Sequence, residues 1–229
     1  MTATALLYDI HGNRSALQAV LEDARREGAE RFVLGGDYAL FGPWPVETVA
    51  ALRALEPASW IRGNGERWTA APGQAPEDEV VQGAIAACRE ALGRQLVDEL
   101  AALAEQIALD GTRYCHGSPL SDVRSFGPEP AGEDAELLGG IGERRLVFGH
   151  THLPFRRTGP GGVELVNPGS VGMPFDGDPR AAYALLQRGS VRQQRVAYDH
   201  EGAAAAVRER FGEAPWTQTV ARRIATARP

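Results

Sequence analysis

The chain has 229 residues, 43% of them hydrophobic and 24% charged, with a formal net charge of −6. That is long enough to bury a proper core and too acidic for a protein that coats long nucleic acid, which would carry a basic field. Small phosphorylated ligands stay open, because a few local charges or metals can bind them. No apolar stretch reaches the roughly 18 residues that span a bilayer, so no membrane partner is expected. The start, MTATALLYDIHGN, lacks a basic region, and its apolar run is interrupted by Asp9 and His11, unlike a signal peptide. Cys88 and Cys115 are the only cysteines and read as reduced thiols of a cytoplasmic protein.

In chain order, Ala3 to Tyr8 reads as a buried strand. Asn13 is a plausible cap for a helix from Arg14 to Glu27 with Ala16, Leu17, Val20, Leu21 and Ala24 on its apolar face. Arg31 to Leu34 is a second strand, Val46 to Leu55 a helix and Ser59 to Arg62 a third strand, ending in a Gly63-Asn64-Gly65 turn. This β-α-β-α-β run predicts an α/β fold with a parallel sheet, whose ligands bind at the carboxyl ends of the strands. A helical insert spans about 72–105, with a break near Gly93. Gln106 to Leu109 and Thr112 to Cys115 form a hairpin across Asp110-Gly111. Ser118 to Pro130 is loop, and Glu133 to Leu138 a short helix. Arg145 to Phe148, Val163 to Val166, and the hairpin Ala181–Leu186 with Val191–Ala197 make the last third rich in strands. From about 199 to 229 the chain reads as a helix and an irregular, solvated arginine-rich tail. With no repeat and no clear boundary, residues 1–229 are expected to form one domain.

Five short motifs sit at strand ends: Asp9-x-His11, Gly36-Asp37, Gly63-Asn64, His116-Gly117 and Gly149-His150-Thr151-His152. They hold four of the five histidines. In extended chain, residues i and i+2 point the same way, which would put Asp9 with His11 and His150 with His152. Mixed carboxylate and imidazole donors suit Mn, Fe, Co, Ni or Zn better than Ca or Mg. Three carboxylate or amide groups and four histidines are too many for one ion and about right for two that share a carboxylate. His200 lies outside every motif and reads as a surface histidine. Alternation along its strand turns Cys115 away from His116, into the core. Arg14 and Arg67 follow motifs closely and are candidate phosphate contacts, with surface or salt-bridge roles as the competing reading.

The ordered set YDIHGN, GGDY, GNGE, CHGSP and FGHTHLPF resembles the calcineurin-like metallophosphoesterase family. With NPGSVG (Asn167 to Gly172) it is similar to the compact bacterial and archaeal phosphodiesterase-like branch, over about residues 3–198. The resemblance implies a two-sheet sandwich flanked by helices, a four-layer α/β/β/α fold. It implies Asp9, His11 and His152 on one metal, Asn64, His116 and His150 on a second, and Asp37 bridging both. It implies two divalent ions, Mn foremost with Fe, Ni, Co or Zn as alternatives. The implied activity is hydrolysis of small phosphate esters, above all phosphodiesters such as cyclic nucleotides, by in-line attack of a hydroxide held between the metals. Dinucleoside polyphosphates or a phosphoprotein are the alternative substrates, and a non-catalytic binding module on the same fold is the alternative of another class. The sequence leaves the oligomeric state open, a dimer included. One departure matters. Many family members have a histidine after the motif asparagine, read as the acid that protonates the leaving group; here that position is Gly65.

Overall fold

The computed structural model describes residues 3–229; residues 1 and 2, the start of the expected 1–229 unit, lie outside the description. The first elements follow the predicted order: β1 (Ala3–Leu7), α1 (Arg14–Arg26), β2 (Ala29–Leu34), α2 (Pro45–Arg53) and β3 (Ala58–Trp60). The three strands pair in parallel. Along β1, Ala3, Ala5 and Leu7 pack toward the helices. Leu6, and Tyr8 just beyond the strand, face a second core with Tyr114, Val147 and Val166. A strand covered on both faces reads as an unbroken apolar run, which is why β1 was legible. The Asn13 side chain accepts the Ala16 N–H at 3.1 Å, and the five predicted apolar residues of α1 are its buried ones.

The chain then departs from expectation at Gly63-Asn64-Gly65. This is the opening of α3 (Asn64–Ala70), with Gly63 as its cap, and not a tight turn. Gly63 has extended backbone, φ −97° and ψ −179°. The insert is α4 (Glu79–Ala101), interrupted at Gly93, whose φ of 70° no helix accommodates.

The second half builds two different things. β4 (Gln106–Leu109), β5 (Thr112–Cys115), β6 (Arg145–Val147), β7 (Phe155–Thr158) and β8 (Glu164–Asn167) form a sheet in the order β4-β5-β6-β8-β7. β7 escapes sequence reading because it is a four-residue edge strand with two arginines and a threonine after Phe155. The final hairpin, β9 (Ala181–Gln187) and β10 (Ser190–Val196), does not join that sheet. It completes the first one, in the order β10-β9-β1-β2-β3, with β9 antiparallel to β1. Its first five residues are buried, with Ala181, Tyr183 and Leu185 toward the helices and Ala184 between the sheets, and so it covers the otherwise open edge of β1. The outer face of the second sheet is closed by the Ser118–Pro130 loop and the one-turn α5 (Asp134–Leu137), through a core of Cys115, Phe126, Phe148, Phe155 and Leu165. The layers are therefore α/β/β/α with a thin fourth layer. Among the described residues, no helix is long and apolar enough to cross a membrane.

The expected irregular, solvated tail is a second correction. α6 (His200–Phe211) is followed by α7 (Pro215–Thr226), which buries Trp216, Val220, Ala221 and Ile224. That spacing is a helical stripe; the surrounding arginines hid it. If α7 is docked in this way, Ile224→Ala should lose about 2–5 kcal/mol in urea denaturation. A loss below about 1 kcal/mol would show that the helix is dispensable to the core.

Candidate metal centre

The loops after β1, β2 and β3 of the first sheet meet the loops after β5 and β6 of the second, all at carboxyl ends of parallel strands. They bring all seven predicted donors together. They do not do so by strand pleating, as the i, i+2 argument supposed. β1 stops at Leu7, and Asp9 (φ 52°), His11 (47°), Asp37 (56°), His150 (68°) and His152 (58°) have left-handed backbone. These are five of the nine non-glycine residues with positive φ among the described residues. Such conformations cost of order 1–3 kcal/mol each and gather where function over-determines the chain. Main-chain bonds hold them: Asp9 N–H to Gly36 O, His11 N–H to Asp37 O at 2.8 Å, and Gly149 N–H to His116 O at 2.7 Å. The same backbone splits the second histidine pair. His152 turns to His11, and His150 turns to Asn64 and His116.

Three imidazoles share one arrangement. Nδ1 of His11 faces Leu40 O at 3.0 Å, that of His116 faces Gly35 O at 2.8 Å, and that of His152 faces Met173 O at 2.6 Å. A carbonyl oxygen can only accept, so each Nδ1 carries the proton and each Nε2 presents a lone pair inward. The Nε2 atoms of His11 and His152 stand 3.0 Å apart. Asp9 Oδ1 lies 3.5 Å from His152, 3.9 Å from His11 and 3.7 Å from His116. Asp37 spans the two sides: Oδ2 is 3.9 Å from His11 and Oδ1 is 3.4 Å from His116. Two triads have donor atoms within 4.8 Å of one another, Asp9-His11-His152 and Asp9-Asp37-His116. Asp9 thus stands between the two sides as much as Asp37 does. The Asn64 amide oxygen lies 2.9 Å from His150 Nδ1. Turned over, the amide would donate to His150 Nδ1 and His116 Nε2, both at 2.9 Å. A cation at the centre would favour the oxygen-inward orientation.

The electrostatics point the same way. Asp9 and Asp37 are buried, and no arginine pairs with either. Burial pushes the Asp9 carboxyl up to about 8. It also raises Asp37, with the Glu66 carboxylate adding to the effect. Burial lowers His11 to about 3 and His150 to about 4, and depresses His152 as well. Neutral imidazoles are the ligating form. Asp9 Oδ1 is buried without a hydrogen-bond partner. Clustered inward lone pairs, two carboxylates and an orphaned oxygen fit divalent cations, which would supply the positive charge that the protein withholds.

Other residues support the donors, and of these Glu66, Phe41 and Phe175 were not singled out by the sequence. Glu66 is buried on α3 and accepts from the N–H groups of Gly63 (2.8 Å), Asp37 (2.9 Å) and Tyr38 (2.8 Å), tying Asn64 to Asp37. The signal was present as Gly63-x-x-Glu66, the spacing of a capping box. In the NPGS loop, Ser170 donates to Asp9 O at 2.7 Å, and Asn167 donates to Gly149 O and to Thr151 Oγ1, both at 3.0 Å. Phe41 and Phe175 flank His11 and His152; the Phe175 ring stacks on His152 with centroids 4.4 Å apart. The phosphate-contact candidates fare differently. Arg14 is exposed, and its side chain has no hydrogen bond or ion pair among the described residues. Arg67 is held by both oxygens of Asp122 at 2.6 Å. His200 lies outside the cluster at the start of α6. The glycines of the Asn64 motif serve proximity, not left-handed backbone: a Cβ at Gly63 would lie 2.2 Å from Asp37 Oδ1, and one at Gly65 2.9 Å.

The chain is similar to known phosphoesterases. The family model described as "Calcineurin-like phosphoesterase superfamily domain" matches residues 3–190. Phosphodiesterase YfcE of Escherichia coli is 31% identical over 186 residues, covering 78% of this chain and 83% of that protein. An uncharacterized protein of Methanocaldococcus jannaschii is 27% identical over 220 residues, covering 85% and 87%. The crystal structure of a metallophosphoesterase from Sphaerobacter thermophilus superposes with a TM-score of 0.82 at 25% identity, covering 99% of this chain and all of that one.

A buried charge deficit makes a clear prediction. Adding Mn²⁺ to metal-stripped protein at 100 times its dissociation constant should stabilise it by about 2.7 kcal/mol. For a chain of this size that is roughly 5–10 °C in Tm. The shift should vanish in Asp9→Ala; a shift retained there would remove Asp9 from the centre.

Proposed function

The chain belongs to the calcineurin-like phosphoesterase superfamily and is a metal-dependent phosphoesterase, and from that premise we propose that it hydrolyses small phosphodiesters at a two-metal centre. The observation that carries this reading is the set of three imidazoles with Nδ1 fixed on backbone carbonyls and Nε2 converging on two buried, unpaired carboxylates. Asp9, His11 and His152 would hold one ion, Asn64, His116 and His150 the other, and Asp37 would bridge them. Divalent ions there lower the pKa of a bound water and polarise phosphoryl oxygens; Mn suits these donors best, with Fe, Co, Ni or Zn as alternatives. The protein's own part is positional. Glu66 fixes Asp37 and the start of α3, so that the bridging carboxylate and Asn64 move as one unit. The carbonyls of Leu40, Gly35 and Met173 hold the Nδ1–H tautomer of three imidazoles and aim their Nε2 atoms inward.

A diester is favoured over a polyphosphate by the cleft beside His116. Its volume is about 320 Å³, and Arg62, Arg67, Glu105, Leu120, Asp122 and Val123 help to line it. Arg62 pairs with Glu105 and Arg67 with Asp122, so its charges cancel, while Leu120 and Val123 are exposed. Such a wall suits an uncharged alcohol group better than further phosphates.

Two measurements test the reading. Asp37→Asn should lose at least about 100-fold in activity on a chromogenic phosphodiester with Mn²⁺ added, together with part of its bound metal; full activity would refute the bridging role. Gly65 cannot donate a proton, and general-acid help is typically worth about 10²–10⁴-fold. Turnover across a series of aryl phosphodiesters should therefore fall steeply as the leaving-group pKa rises. A flat dependence would reveal another proton donor.

A further inference from the structure

Of the two arginines near the motifs, Arg67 is occupied by Asp122 and Arg14 is exposed to solvent. The chain has no lysine, and all 24 basic residues are arginines. Among the described residues, every arginine that is not exposed has a hydrogen bond or ion pair from its guanidinium, save Arg223 on α7. Its Nε is buried without a partner. An unsatisfied buried donor costs about 1–3 kcal/mol, so an arginine with only a structural role would be expected to find an acceptor. The acid whose field reaches it, Asp78, is occupied in accepting the Val80 and Val81 N–H groups at the start of α4.

Its position is specific. The guanidinium carbon lies 5.9 Å from the centroid of Phe175, and Phe175 is the ring stacked on His152. Phe175 therefore neighbours both a partly desolvated cation and the Asp9-His11-His152 group, and the Arg223 charge is felt at His11. The two sides of the centre are unequal. Beside His116, Arg67 is neutralised by Asp122; beside Phe175, Arg223 has no ion pair among the described residues. Burial and the neighbouring Arg222 both disfavour that charge, and an incoming anion would relieve the cost.

Resting on the metallophosphodiesterase reading, we propose that Arg223 is a substrate-binding residue that contacts an anionic non-bridging oxygen of the phosphate from the His152 side. It is delivered by a helix that lies beyond the matched family region, residues 3–190. It donates no proton and takes no part in bond breaking; it holds the phosphate with a charge-assisted hydrogen bond. Its loss should therefore act on binding before turnover.

The test uses the full-length, Mn²⁺-loaded protein and inorganic phosphate as probe. Arg223→Met keeps the apolar stem against Phe175 and removes the charge. It should raise the inhibition constant of phosphate, and KM for a diester, by about tenfold or more, with kcat, metal content and Tm little changed. Arg223→Lys should recover part of the phosphate affinity, and Arg222→Met, one residue away and exposed, should match the wild type. Phosphate inhibition and KM unchanged in Arg223→Met would overturn the assignment while leaving the metal centre intact. An equal effect in Arg222→Met would also overturn it, by reducing it to general charge. A wild-type protein that binds metal but neither hydrolyses diesters nor is inhibited by phosphate would overturn both this inference and the reading beneath it.

Discussion

Two carboxylates buried between two sheets, with no arginine against them, govern this structure. Asp9 and Asp37 are almost fully enclosed, and the groups around them are imidazoles, an amide and the Glu66 carboxylate. A buried carboxylate without a counter-charge protonates or finds a cation. Among the described residues no arginine pairs with either carboxylate, and three ring lone pairs aim at the same space. The cluster is therefore incomplete as protein chemistry and complete as a ligand set.

That constraint explains the backbone. Aspartate and histidine at positive φ are expensive, yet five such residues lie in the centre. They persist because loops from both sheets are tied to one another: Val171 N–H to Tyr8 O and Gly172 N–H to Asp9 O from the NPGS loop, and Gly149 N–H to His116 O across the second sheet. Tyr8 adds a bond from the first sheet to the second through its hydroxyl to Val147 O at 3.2 Å. The sandwich is thus the frame that offsets local strain, and Glu66 is its most economical brace, with one carboxylate satisfying three N–H groups. Because Gly63 and Gly65 lie against Asp37, the position where relatives of this kind would carry an acid histidine is here occupied by close packing around the bridging carboxylate.

The rims of the centre divide its labour. On one side the paired Arg67 and Asp122 border a cleft without net charge. On the other, aromatic rings and an unpaired guanidinium border His11 and His152. An anionic phosphate flanked by an uncharged alcohol matches that asymmetry better than a chain of phosphates does.

The sequence by itself determined the candidate donors and the strand ends that carry them, because short strands buried on both faces read as apolar runs and each ends in a polar cluster. Asp9, His11, Asp37, Asn64, His116, His150 and His152 could all be named in advance. So could the Asn13 cap and the Asp110-Gly111 hairpin, both local chemistry. Only tertiary structure decided what depends on distant chain. The β9–β10 hairpin joins the first sheet because β1 has an open edge, which no local pattern reports. Asn64 opens a helix because Glu66 caps it while binding Asp37 and Tyr38. His150 and His152 part company because their backbone is left-handed, where the two-residue alternation of a strand no longer applies. Arg223 comes to lie against Phe175, the ring stacked on His152, because α7 buries its apolar stripe on the helical layer, and contacts between residues so far apart in sequence leave no mark on the spacing around either one.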